Sequence, residues 1–137
     1  MERALRAADR LPALRESTRT ELCERLERAK GYMEANYSTK MPLASMAQIA
    51  YLSPHHFLRS FKLAFGVTPH QYLIGLRLDA ARNALTSSKQ TVSEICNEVG
   101  FESLGSFSWL FKKHYGLSPD QYRKKIVDLP PISNFRE

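Results

Sequence analysis

Cysteine is nearly absent: Cys23 and Cys96 are the only two in 137 residues, far apart and without the paired spacing of a disulfide framework or a zinc site. A stapled secreted domain is excluded, and a reducing, cytoplasmic setting is expected. No stretch approaches the ~18 consecutive apolar residues of a membrane span. Met1 to Arg15 is too charged for a secretory signal, so a soluble protein with no membrane partner is expected. There is no glycine-rich phosphate loop, no His-Glu-x-x-His and no nucleophile beside a base. Neither an enzyme nor a cofactor is expected. His55-His56 makes no metal pair, because adjacent helical positions point about 100° apart and no carboxylate lies a turn away. His70 and His114 read as surface residues, and Cys96 as inert packing.

What the chain does contain is duplicated. The sixteen residues Phe57 to Tyr72 return fifty positions later as Phe107 to Tyr122, with seven identical pairs. The correspondence extends upstream, to Met46-Ala47 and Ile95-Cys96, if the second copy holds one extra residue. The punctuation in each copy is that of short helices joined by tight turns. Ser53-Pro54 offers a capping hydroxyl and a first-turn proline, and Ser103 is the equivalent cap. Gly66 and Gly116 stand where a left-handed closing residue is wanted, and Thr68-Pro69 and Ser118-Pro119 restart the chain as helix. A shorter helix precedes each, Leu43 to about Tyr51 and Val92 to about Val99, the latter opened by a Thr91/Glu94 capping box.

The second helix of each pair has two faces. Phe57, Phe61, Ala64 and Phe65 form a core stripe, matched by Phe107, Leu110, Phe111 and Tyr115. The opposite face carries His55, Leu58, Arg59 and Lys62 in one copy and Leu104, Gly105, Ser108, Trp109 and Lys112 in the other. Charge sorts onto these faces. The chain has 20 Lys and Arg against 14 Asp and Glu, a formal +6, which favours a polyanionic partner without naming it. Residues 1 to 30 hold eight cations and six acids, whereas the segments Ser53 to Lys62 and Ser103 to Lys113 together hold four cations and no acid. A short turn leading into a basic helix is the form of a helix-turn-helix reader, whose second helix fits the major groove of double-stranded DNA. Pro69 to about Thr86 reads as one linker helix about 26 Å long at ~1.5 Å per residue, with Leu73, Leu76, Ala80, Ala84 and Leu85 inward. That length suits two readers about 34 Å apart, one turn of B-DNA. Gly75 within it permits either close helix packing or a slight bend.

The expected class is therefore all-α: two helix-turn-helix subdomains joined by a long linker helix, about seven helices in all. Residues 1–17 form an arm or linker interrupted by Pro12, 18–68 the first subdomain, 69–87 the linker, 88–127 the second subdomain and 128–137 an irregular tail. Thr18 with Glu21 is expected to cap the first helix, whose Leu22, Leu26, Ala29 and Met33 face the core.

The pattern Gly100-Phe101-x-Ser103, Phe107-Ser108-x-x-Phe111-Lys112-Lys113 and Gly116-x-Ser118-Pro119-x-x-Tyr122-Arg123 resembles the AraC/XylS signature, over about residues 28 to 127. The resemblance implies a bacterial transcription regulator whose two readers enter successive major grooves, and which activates by contacting RNA polymerase. It makes His55, Leu58 and Arg59 the base-facing residues of the first reader, and Leu104, Gly105, Ser108 and Trp109 those of the second. Phosphate contacts fall to Ser53, His56, Lys62, Ser103, Ser106, Lys112 and Lys113. Arg59 suits guanine O6 and N7, His55 a purine acceptor, and Leu58 a thymine methyl. Trp109 stands where the family commonly has Arg, and Gly105 where it has a side chain. The second reader therefore either reads bases or mainly holds backbone, and Trp109 either touches DNA or packs on the linker helix. An effector enters only through a further domain, for which too few residues remain; the chain is either a stand-alone regulator, expected to bind as a monomer, or part of a larger one. The competing class is a helical interaction module that has lost DNA binding, which would have no use for Arg59, Lys62, Lys112 and Lys113 on equivalent faces.

Overall fold

The computed structural model describes residues 16–127, in which every regular element is a helix. In chain order these are α1 (Glu16–Asn36), α2 (Leu43–Ile49), α3 (Pro54–Phe65), α4 (Pro69–Ser87), α5 (Val92–Glu98), α6 (Leu104–Tyr115) and α7 (Pro119–Val127). The all-α class is as expected, with seven helices among the described residues. The expected arm with Pro12 and the irregular tail lie outside them.

The caps fall where the turn residues put them. Ser53 Oγ accepts the His56 backbone N–H at 3.2 Å and Ser103 Oγ that of Ser106 at 3.1 Å, each satisfying a first-turn donor without an intrahelical partner. Thr91 and Glu94 reciprocate as a capping box at 3.0 and 2.8 Å. The bond from the Thr91 backbone holds the Glu94 carboxyl below its ordinary value. Gly66 and Gly116 close α3 and α6 at φ 83° and 85°, a conformation that costs a residue with a Cβ. Two more boxes explain part of the repeat's identity: Gln71 Oε1 accepts from Thr68 N–H while Thr68 Oγ1 accepts from Gln71 N–H, and Gln121 pairs with Ser118 in the same way. Thr18, in contrast, does not open α1. The helix already runs at Glu16, so Thr18 lacks the extended backbone that a cap requires.

The chain divides into two compact units between Leu76 and Arg77, inside α4. In the first, Leu22, Cys23, Leu26, Ala29 and Met33 of α1 are buried with Met46 and Ala47 of α2, Phe57, Phe61 and Ala64 of α3, and Leu73 of α4. In the second, Leu78, Ala81 and Leu85 of α4 are buried, as are Ile95 and Cys96 of α5 and Phe107 and Phe111 of α6. Burial pushes the Cys96 thiol up, in keeping with a packing role. The linker stripe is therefore only partly the one expected: Leu73 and Leu85 are buried, and Leu76 packs partly against the first core. Ala80 and Ala84 are only half-buried, and the stripe shifts to Leu78–Ala81–Leu85 because α4 serves a different core on each side of Leu76. Gly75 permits no close packing either, since a Cβ there would meet nothing within 4 Å.

Arg123 of α7 ties the end of α4 to the following loop. Its Nε donates to Leu85 O at 3.0 Å, Nη1 to Gln90 O at 2.6 Å and Nη2 to Ser88 O at 3.3 Å. One planar fork thus serves three carbonyls, two of them beyond the helical ladder. Arg123→Ala is expected to cost about 2 kcal/mol in urea unfolding, with Arg123→Lys recovering less than half, because an ammonium cannot span three acceptors. Gly75→Ala is expected to do the reverse and raise stability by up to about 1 kcal/mol, read as a higher melting temperature.

Candidate nucleic-acid interface

The aromatic stripe of each second helix fixes which way its other face looks. Phe57 and Phe61 are fully buried, with ring centroids 5.5 Å apart, and Phe61 meets Phe65 at 4.7 Å and Tyr72 at 6.0 Å. In the second unit Phe107 and Phe111 are fully buried at 5.8 Å, flanked by Phe101 at 5.1 Å and by Tyr115 and Tyr122 at 4.7 and 5.6 Å. Each ladder turns the opposite side of its helix into water. His55, Arg59 and Lys62 are exposed on α3, as are Ser53 and His56 at its start, and Leu58 is half-buried. On α6, Leu104, Gly105, Trp109, Lys112 and Lys113 are exposed, together with Ser103 and Ser106, and Ser108 is half-buried. The structure thus collects the predicted residues into one face per helix. The Ser53 and Ser103 oxygens already accept capping bonds, which leaves each hydroxyl its proton to donate.

No acid stands on either helix. Lys62 in the last turn of α3, and Lys112, Lys113 and His114 in that of α6, also complement the negative end of the helix dipole; Arg59, mid-helix, has no such partner. Trp109 is not buried against the linker helix. It is 62% exposed, and Lys113 Nζ lies 4.9 Å from its ring centroid, within cation–π range.

The turns entering α3 and α6 show where the copies diverge. Leu52 N–H bonds Ala47 O as Phe101 N–H bonds Cys96 O, so Tyr51 corresponds to Gly100. The extra residue of the second copy is then Glu102. Tyr51 and Gly100 both take positive φ, 56° and 108°. Tyr51 is the one non-glycine residue to do so among those described, and its 72%-exposed ring lies 5.4 Å from the Arg28 guanidinium. Aligning the turns without a gap hides this strain, and sliding the copies by one residue reveals it. Glu102 has a role of its own. Burial lowers Arg77 from its ordinary value, and the Glu102 charge opposes that shift.

A family model described as a helix-turn-helix domain matches residues 46–125, a span that takes in both readers and the helix between them. The chain belongs to the AraC-type helix-turn-helix family. It is 35% identical over 92 residues to the probable transcriptional regulator LumQ of Photobacterium leiognathi, covering 67% of this chain and 37% of that one. Among solved structures, the DNA-binding domain of AdpA, a global transcriptional factor in complex with a target DNA, superposes with a TM-score of 0.70 at 28% identity, over 73% of this chain and 90% of that one. A regulator with an AraC-type DNA-binding domain from Chromobacterium violaceum does so with a TM-score of 0.70 at 27% identity, over 78% and 96%. The AraC-type domain here spans well under half the length of its curated relative. Within the described residues, no helix is long and apolar enough to cross a membrane.

The strained turn gives a stability prediction. A left-handed conformation costs an L-residue about 1–2 kcal/mol, and the exposed Arg28 contact offsets about 0.5 kcal/mol of that. Tyr51→Gly is therefore expected to raise the melting temperature of the AraC-type domain by a few degrees, up to about 1 kcal/mol. A fall on calorimetric melting would mean that the ring supplies more than its backbone costs.

Proposed function

We propose that this AraC-type domain reads a bipartite site on double-stranded DNA within a transcription regulator, with α3 and α6 entering successive major grooves. The carrying observation is the pair of equivalent helix faces, each exposed, free of acid and bearing lysine or arginine, on a scaffold matching a domain solved with its target DNA. His55, Leu58 and Arg59 face bases from α3, and Leu104, Gly105, Ser108 and Trp109 from α6. Ser53, His56, Lys62, Ser103, Ser106, Lys112 and Lys113 hold phosphates, which fixes register without reading sequence. The 19 residues of α4 join the two units without a break in the helix. Because the duplication provides both readers, one copy of the chain suffices per site. The finer reading is activation through contact with RNA polymerase, with any effector acting through a further domain.

Selection of sites from random duplex DNA at near-physiological salt tests this. Two enriched blocks about one helical turn apart are expected, with binding that weakens steeply with salt as phosphate contacts release counterions. Arg59→Ala is expected to relax base preference at one or two positions of one block, at a cost of about 1–3 kcal/mol against guanine. A uniform loss across sequences would assign Arg59 to the backbone. Salt-sensitive binding with no enriched motif would favour the helical interaction module.

A further inference from the structure

The readers share a scaffold, so side chains at equivalent positions compare directly. His55 and Arg59, one turn apart on α3, correspond to Gly105 and Trp109 on α6. The first pair offers donors at the end of long polar side chains. The second offers an indole face and a bare stretch of backbone.

Neither feature has a packing cause. Trp109 is 62% exposed, where an indole ordinarily finds cover. A Cβ at Gly105 would meet only Ser103 Oγ, at 3.7 Å, an ordinary contact, and its φ lies outside the left-handed range. The glycine therefore weakens its helix without relieving a clash or a strained turn. What it does provide is a low surface on which another molecule can approach the backbone. Side chains on a helix lean toward its N-terminus, so the indole of Trp109 extends toward the turn that Gly105 leaves bare. Lys113, one turn further on, holds its ammonium 4.9 Å from the ring, and Lys112, also exposed, precedes it on the same helix.

An apolar platform edged by two cations fits a DNA groove in one particular way. The cations suit phosphates. The platform offers no bidentate donor, and the apolar group that a major-groove base edge presents is the thymine methyl. We propose that the second reader recognises thymine methyl groups by apolar contact from Trp109 beside the bare backbone of Gly105, while the first reads by hydrogen bonds from His55 and Arg59. This rests on the domain being a sequence-specific DNA reader, and specifies that the α6 half-site contains thymine at the positions Trp109 covers.

The test uses the whole chain and the duplex recovered by site selection, with each thymine of the α6 block exchanged singly for uracil, which removes the methyl and keeps the pairing. Fluorescence anisotropy is expected to show three- to fivefold weaker binding at one or two positions, about what burial of one methyl supplies. The penalty disappears in Trp109→Ala, whose helix content stays unchanged in circular dichroism because the removed side chain is exposed. An α6 block without thymine, indifference of the wild type to every exchange, or an equal uracil penalty in Trp109→Ala overturns the assignment while leaving sequence-specific binding intact. No preference over random duplex overturns both.

Discussion

Each recognition helix is set by the ladder of aromatic rings beneath it, and the rest of the surface follows from that packing. Phe57 with Phe61, and Phe107 with Phe111, are fully buried one turn apart. Rings of this size in a close-packed interior leave the helix one rotation about its axis. The opposite face must then look outward whatever residues it carries. That is how two copies have kept one scaffold while their outer faces diverged from His55 and Arg59 to Gly105 and Trp109.

The rim of each ladder carries the same chemistry from different positions. In the first unit the Tyr72 hydroxyl bonds the Glu34 carboxylate, and Lys30 Nζ lies 4.6 Å from the Phe65 ring and 5.3 Å from that of Tyr72. In the second, Tyr115 bonds Asp79, and the Arg82 guanidinium lies 5.2 Å from its ring. Burial, together with the Asp79 bond, raises the Tyr115 phenol above its ordinary value, so it stays a donor throughout the neutral range. Glu34 and Lys30 come from α1, Asp79 and Arg82 from α4. The linker helix thus stands to the second unit as α1 does to the first, which is why its apolar stripe changes register at Leu76.

The copies differ most where α3 and α6 begin. Gly100 takes the left-handed turn without strain, and Tyr51 does so with an exposed ring beneath Arg28. The second copy adds Glu102, whose charge faces a buried Arg77. Both departures sit in the turn that sets each recognition helix.

The sequence by itself determined the helices and their caps, because Ser53, Thr91, Ser103, Gly66 and Gly116 act within a few residues of their own position, where local rules suffice. It also determined which faces are apolar, since the 3.6-residue period is visible in one dimension, and the duplication exposed both readers at once. Only the tertiary structure decided the stripe of α4 and the exposure of Trp109. Each depends on what a helix packs against: α4 serves two cores and cannot keep one stripe, and an indole on a helix face reads the same in sequence whether a neighbour covers it or water does. The left-handed backbone of Tyr51 is legible in sequence only through its repeat partner Gly100, because nothing in a tyrosine itself calls for a positive φ.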